Sequence, residues 1–249
     1  MSQPATSLEA EFAARAPWVT RFIIEGKAYG GELDLRHDPA LALFAAAFPR
    51  AKMVLELGPL EGGRTFALAG LPHVKRILAV EGRRANIAKA RFVQSLLGVE
   101  RIQWIEANLE TAVLEKLGRF DVIFSSGVLY HLPEPWQLIE QCARASPSLF
   151  LSTHFTASPI ETRHGLAGTP VAEGGVDEPL SGLSPTSFWL SQESLMQVLA
   201  ASNYTSIEVL LTDTLNPNGP WIILAASQDS NLKHWLKYHR RRVTALLAR

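Results

Sequence analysis

The 249-residue chain holds a single cysteine, Cys142, and has no surplus of charge, since 24 Lys+Arg stand against 24 Asp+Glu. One cysteine closes no internal disulfide, so packing must hold the fold, and a reducing, cytoplasmic setting is expected. A formal net charge of zero argues against a protein built mainly to coat nucleic acid. Long apolar runs are missing as well. No window approaches the roughly 18 apolar residues of a membrane span, and Met1-Ser2-Gln3-Pro4-Ala5-Thr6 has no basic stretch leading into an apolar one. A soluble, unexported protein with no membrane contact is therefore expected. Charge is sparse at 19%, against 47% hydrophobic residues, which excludes a disordered chain and leaves ample material for a core. Neither an internal repeat nor a low-complexity tract is present.

What is there has an order. Residues 7–15 have helical composition, and Val19–Ile24 with Glu25-Gly26-Lys27 reads as a strand and turn, so residues 1–50 form a helical and hairpin preamble. From Lys52, short β-rich runs alternate with helical stretches, the mark of a doubly wound α/β fold with a mainly parallel sheet. The runs are Met53–Leu57, Arg76–Val80, Ile102–Ile105, Phe120–Ser125 and Ser148–Ser152, with helices expected near 63–70, 84–97, 109–116 and 134–145. Ile87, Ala90, Val93 and Leu97 make an apolar stripe, and Gly98 sits where a helix-closing glycine belongs.

Between Thr153 and Leu190 glycine and proline are too frequent for one continuous element, so a lid-like insertion at 153–190 is expected within a main domain of 51–228. A helix over Gln192–Ala201 follows. Tyr204–Thr212 and Trp221–Ala226 then form an antiparallel strand pair across an Asn/Pro/Gly-rich link. Residues 229–249 read as one amphipathic helix, with Leu232, Trp235, Leu236, Val243, Leu246 and Leu247 on its apolar stripe. Its basic residues are Lys233, Lys237, Arg240, Arg241, Arg242 and Arg249, and without these six the chain carries 18 basic against 24 acidic residues, a balance of −6. The neutral total thus divides into an acidic body and a basic tail. That tail could bind nucleic-acid phosphates, or it could pack its stripe on the body or on a second copy in a homo-oligomer.

The first run ends in Glu56-Leu57-Gly58-Pro59-Leu60-Glu61-Gly62-Gly63-Arg64-Thr65, a strand, a glycine-bearing turn and a helix start. Glycine there lets the backbone approach a ligand, and the helix start offers unpaired N–H groups. Glu81 ends the next strand 23 residues after Gly58, where an acid can accept from both hydroxyls of a ribose. A dinucleotide fingerprint would want glycine at 58, 60 and 63, but position 60 is Leu. Glu56 would also sit badly beside a pyrophosphate, so a nicotinamide dehydrogenase is disfavoured, whereas that carboxylate suits a cofactor with a cationic amine and sulfonium.

Val54-Leu55-Glu56-Leu57-Gly58, Ala79-Val80-Glu81, Glu106-Ala107-Asn108 and the stretch from Phe120 to Leu132 together resemble the successive motifs of class I S-adenosylmethionine-dependent methyltransferases. The resemblance covers roughly residues 50–152. It implies a Rossmann-like, seven-stranded sheet, mostly parallel, with the antiparallel pair at its C-terminal end, and S-adenosyl-L-methionine as cofactor. Residue by residue, Glu56 and Gly58 match the first motif, Gly62 its outer glycine, Glu81 the ribose acid, and Asn108 a position near the adenine amine. Ser126 lies in the segment that flanks the methionine part and the acceptor. The middle glycine of the family's turn is Leu60 here, and the usual acid beside adenine is replaced by Asn108.

Tyr130 and His131 follow a strand end that faces the crevice, so either is a candidate to position an acceptor. His131 is a candidate general base because an imidazole titrates near working pH, and His154, just past the fifth strand, is a second. In the insertion, Glu161, His164, Glu173, Asp177 and Glu178 lack metal-ligand spacing, so no metal is expected and a solvated loop is the reading. Phe188 and Trp189 either line an acceptor pocket or anchor the lid. The expected function is in-line methyl transfer to a small-molecule acceptor. Two alternatives stay open: a tRNA-modifying (carboxy)methyltransferase, since Gly127-Val128-Leu129-Tyr130-His131 resembles the segment of enzymes that carboxymethylate the wobble uridine, and a non-catalytic cofactor-binding partner protein.

Overall fold

The computed structural model describes residues 7–229, so the basic helix expected over 229–249 lies, from residue 230 onward, outside the described residues. Helix α1 (Leu8–Ala13) leads into a hairpin of β1 (Arg21–Ile24) and β2 (Lys27–Gly30), and then comes α2 (Pro39–Ala47). Asp38 starts α2 by accepting the Ala40 N–H at 2.8 Å, with Pro39 in the first turn where its missing N–H costs nothing. The alternation follows as β3 (Met53–Leu57), α3 (Gly63–Ala69), β4 (Arg76–Glu81), α4 (Arg84–Leu97), β5 (Ile102–Glu106), β6 (Val122–Ser126), α5 (Pro135–Ala145) and β7 (Ser148–His154). Gly98 closes α4 in the left-handed region, as its position suggests.

Two expectations are corrected. The helix expected at 109–116 is only a 3₁₀ turn at Leu114–Leu117. Asn108 Oδ1 takes the Glu110 N–H at 2.9 Å, and this local side-chain bond starts a turn in place of a helix. The insertion, read as a solvated loop, is an antiparallel sheet of β8 (Glu161–Arg163), β9 (Leu166–Ala172) and β10 (Thr186–Leu190), in the order β10-β9-β8. Its glycines have positions in that sheet. His164-Gly165 makes the β8–β9 turn with positive φ at both residues, and Gly168 inside β9 leaves room for the Phe188 ring, which a Cβ would meet at 2.4 Å. Phe188 is buried against the main body and anchors the insertion, whereas Trp189 stacks on His154.

After α6 (Gln192–Ala201), capped by Ser191, come β11 (Ser206–Asp213) and β12 (Trp221–Ser227). The main sheet has seven strands in the order β11-β12-β7-β6-β3-β4-β5, with β12 antiparallel to both neighbours and β7, β6, β3, β4 and β5 paired in parallel. Alternate residues of each strand serve opposite layers. Val54, Ile77, Val122, Phe124 and Phe150 pack with α2, α3 and α4, while Leu55, Leu57, Ile123, Leu149 and Leu151 pack with α5, α6 and the insertion. Helix α2 belongs to that first layer, with Phe44 edge-on to Phe124 and Phe150 at 5.3 and 5.6 Å, so packing does not break at residue 50. The chain winds outward from β3 in one direction and from β6 in the other. That reversal puts the topological switch point, and a crevice at the strands' carboxyl ends, between β3 and β6.

Candidate active site

The crevice is a cleft of about 720 Å³, in the upper part of the range for small-molecule sites. Gly58, Leu60, Glu81, Asn108, Ser126, Tyr130, His131 and His154 all line it; Glu56 and Gly62 do not. The turn after β3 explains both groups. Gly58 has φ +65°, and a Cβ there would stand 2.8 Å from Val128 Cγ2, so the β6 segment leaves no room for a side chain. Leu60 keeps a left-handed φ of 56° where a glycine is usual, and its N–H donates to Glu81 Oε2 at 3.0 Å. At Gly62, φ +91°, a Cβ would meet the Trp104 and Phe66 rings at 2.9 and 3.0 Å, so this glycine serves packing.

Glu81 is 5% exposed and held from three sides. Besides Leu60, the Arg83 N–H (2.9 Å) and the Asn86 amide (3.3 Å) donate to Oε1. Burial pushes its carboxyl pKa up, and these bonds only partly counter that. Glu56 lies below the turn, 1% exposed, with Oε2 unpartnered; burial raises it to about 7, with Arg64 pulling the other way. An ionisable oxygen buried without a partner fits a cationic group arriving from the cleft side. Ser126 Oγ is likewise buried without a partner. Asn108 Oδ1 already accepts from the Glu110 N–H, leaving one lone pair. Glu110 itself lines the cleft with Oε1 unpartnered.

The two histidines differ. His131 Nδ1 lies 3.0 and 3.1 Å from the carboxylate oxygens of Glu173, whose side chain is 6% exposed. Burial alone would push Glu173 up, but bonds from Ser181 Oγ and the Gly182 N–H outweigh it and hold its pKa below the ordinary value. The carboxylate is therefore the acceptor, His131 Nδ1 the donor, and Nε2 is left as the basic nitrogen. His154 Nδ1 donates to the Gly219 and Pro220 carbonyls at 3.0 and 3.2 Å, and burial lowers its pKa, so it stays neutral. Its ring stacks on Trp189 at 4.9 Å and stands edge-on to Tyr130 and Trp221, which builds an aromatic wall. Burial also pushes the Tyr130 phenol up to about 12.

Several contributors are invisible in local sequence. Glu173, expected in solvent, reaches His131 across 42 residues of chain, and no spacing rule encodes such a pairing. Arg64, bonded to Asp38 at 2.6 Å, and the segment Leu33–Pro39 form another wall. Of the remaining insertion acids, Glu161 pairs with Arg163, His164 lies 3.9 Å from Glu134, and Asp177 and Glu178 are exposed.

Such a sheet, with one reversed strand and an acid-flanked glycine turn at its switch point, defines an α/β enzyme that works with a nucleoside cofactor. Comparison with known proteins narrows the class. A family profile described as "Methyltransferase domain" matches residues 55–146. Among solved structures the chain is similar to the N-terminal domain of EvdMO1, crystallised in the presence of SAH and D-fucose, at 36% identity over 88% of this chain and 95% of that one, TM-score 0.80. It covers 46% of a longer EvdMO1 structure, at 32% identity over 88% of this chain and TM-score 0.70. The Burkholderia thailandensis 1,6-didemethyltoxoflavin-N1-methyltransferase, with bound 1,6-didemethyltoxoflavin and S-adenosylhomocysteine, shares the fold at 17% identity over 79% of this chain and 80% of that one, TM-score 0.58. No curated protein matches the chain. The chain belongs to the class I S-adenosylmethionine-dependent methyltransferases, and its cofactor is S-adenosylmethionine. Among the described residues no helix is long and apolar enough to cross a membrane.

Proposed function

We propose that this methyltransferase transfers its methyl group to a hydroxyl of a small, sugar-like acceptor, with His131 as general base. The observation that carries the reading is the His131–Glu173 pair at the cleft. A carboxylate on Nδ1 fixes the ring and its tautomer, so Nε2 can take a hydroxyl proton, and the same carboxylate stabilises the imidazolium that results. The cofactor, when bound, supplies a methyl group already activated on a sulfonium. Glu81 would hold its ribose, Asn108 and Glu110 its adenine edge, and Glu56, Gly58 and Ser126 its methionine end. What remains for the chain is to align the acceptor for in-line displacement and to keep water out. His154, neutral and stacked on Trp189, belongs to the wall with Tyr130 and Trp221, where it positions the acceptor.

The sugar-like class is supported by the cleft edge and by a relative. Asp213, Asn216 and Asn218 stand beside Trp221 at that edge, a set of planar polar groups next to an aromatic face that suits vicinal hydroxyls and the C–H face of a ring. The similar EvdMO1 domain was crystallised with D-fucose. The test is methyl transfer from labelled S-adenosylmethionine onto hexoses and deoxyhexoses, with a catechol and a short RNA as controls. Labelled sugar ether is expected, and His131→Ala should lower kcat by about 10²–10⁴-fold while S-adenosylhomocysteine affinity holds. Labelling of the RNA alone, or full turnover by His131→Ala, would sink the reading.

A further inference from the structure

Arg83 follows the ribose acid by two positions, and its own N–H is one of the bonds that hold Glu81. Its side chain reaches the insertion. There Nε faces the Val176 carbonyl at 3.2 Å, and Nη2, with two N–H bonds to share, lies among the carbonyls of Gly175 at 3.0 Å, Glu178 at 2.8 Å, Ser181 at 2.9 Å and Gly182 at 3.4 Å. A planar cation on a ring of carbonyl dipoles gathers one shaped stretch of backbone, residues 174–184, into a strap. Two further contacts seat it. Leu183 Cδ1 packs where a Cβ on Gly82 would meet it at 2.6 Å, and Ser184 Oγ donates to Glu110 Oε2 at 2.8 Å. Pro179 to Leu183 thereby line the cleft along with Glu81 and Asn86.

The same strap reaches the histidine. Ser181 and Gly182, whose carbonyls serve Arg83, turn their donors the other way: Ser181 Oγ and the Gly182 N–H bond Glu173 Oε2 at 2.5 and 2.7 Å. Glu173 in turn holds His131 Nδ1. The strap also lies hard against that residue, since a Cβ on Gly182 would stand 2.4 Å from the His131 carbonyl oxygen. The path from Glu81 through the Arg83 residue, Ser181 and Glu173 to His131 is made of contacts of 3.0 Å or less, with the Gly182 N–H as a second donor to Glu173.

We propose that Arg83 is a positioning residue: by gathering the strap it fixes Glu173 on His131, and because the strap also covers the ribose side of the cleft, cofactor exchange and release of the histidine happen together. Only the catalytic consequence of this coupling rests on His131 being the base; the coupling itself does not. With the strap open, Glu173 loses two of its donors and the imidazole loses the partner that selects its tautomer. Cofactor departure and an unoriented base are then one event, so the base is assembled only over a covered cofactor.

The experiment uses the full chain and S-adenosylhomocysteine as probe. Dissociation is followed by stopped-flow chase, and the ring nitrogens of His131 are read by ¹⁵N NMR at about pH 8.5, above the ordinary imidazole range. Arg83→Ala should release the probe at least about tenfold faster, the factor expected for one charge-assisted hydrogen bond. It should also move the His131 signals from a protonated Nδ1 toward the Nε2–H form that free imidazole side chains favour. Arg83→Lys, a compact ammonium unable to span these carbonyls, should shift both readouts the same way but less, and it serves if the alanine variant does not fold. Wild-type release and an unchanged Nδ1–H signal overturn the proposal. Shifts in both readouts, with methyl transfer intact in His131→Ala, would uphold the strap and overturn only the base.

Discussion

Glu56 is a carboxyl sealed below the glycine turn with one oxygen unpartnered, and its cost depends on pH. Burial raises it from an ordinary value of 4.5 to about 7, so between those limits the folded protein keeps a proton that the unfolded chain has lost. Stability of the cofactor-free protein should therefore fall as pH rises from about 4.5 to about 7 and then level off. Glu56→Gln should flatten that profile in urea titrations and gain roughly 2–3 kcal/mol at pH 7.5. The same variant should weaken cofactor binding, and calorimetry on the wild type at pH 6 should show proton release as the ligand's amine recruits the ionised form. Gly58 gives a steric counterpart: Gly58→Ala drives a Cβ into Val128 at a positive φ, costing about 2–4 kcal/mol, and Val128→Ala should restore only part of that in thermal melts. That Gly58, Glu81 and Asn108 line the cleft was legible because each ends or follows a parallel strand. Glu173 was not, because its partner is chosen by how the insertion folds back.

At the scale of elements, the polar ties between segments decide what moves. Glu61 sits in the glycine turn at 1% exposure, yet it looks away from the cleft, accepting the Val19 and Thr20 N–H groups at 3.0 and 2.7 Å and Lys89 at 2.7 Å. It stitches the segment leading into the N-terminal hairpin to the glycine turn and to α4. Glu61→Ala strands two N–H groups and takes the carboxylate from a largely buried Lys89 ammonium, a loss of about 3–5 kcal/mol that urea denaturation should report, with faster amide exchange across β1 and β2. The parallel strands and three of the four helices expected between them could be read ahead because each buries alternate or periodic apolar residues. The insertion could not, because its sheet is made of short strands in which glycine and proline perform particular steric duties, as Gly168 does beneath Phe188. Breaker frequency said only that no single long element forms there, which is true of a three-stranded sheet and of a loop alike.

For the whole molecule, the cleft has three owners: the segment Leu33–Pro39, the strand ends of the main sheet, and the strap of the insertion. Arg64 joins the first two through Asp38, and Arg83 joins the last two, so a bound cofactor adds ties among parts that the chain connects only distantly. Ligand binding to the folded state alone then stabilises all three together. At about 100 times its Kd, S-adenosylhomocysteine should add about 2.7 kcal/mol, which for a chain of this size is a rise in Tm of roughly 5–10 °C in one cooperative transition. NADH at equal concentration should give no shift, because a pyrophosphate would have to sit beside Leu60 in the turn and over the buried Glu56 carboxylate. Two separate transitions, with only the later one moved by S-adenosylhomocysteine, would mean that the N-terminal segment or the insertion melts independently of the cofactor. An equal shift with NADH would mean that the turn does not choose between the two cofactors, and the discrimination would then have to come from elsewhere in the cleft.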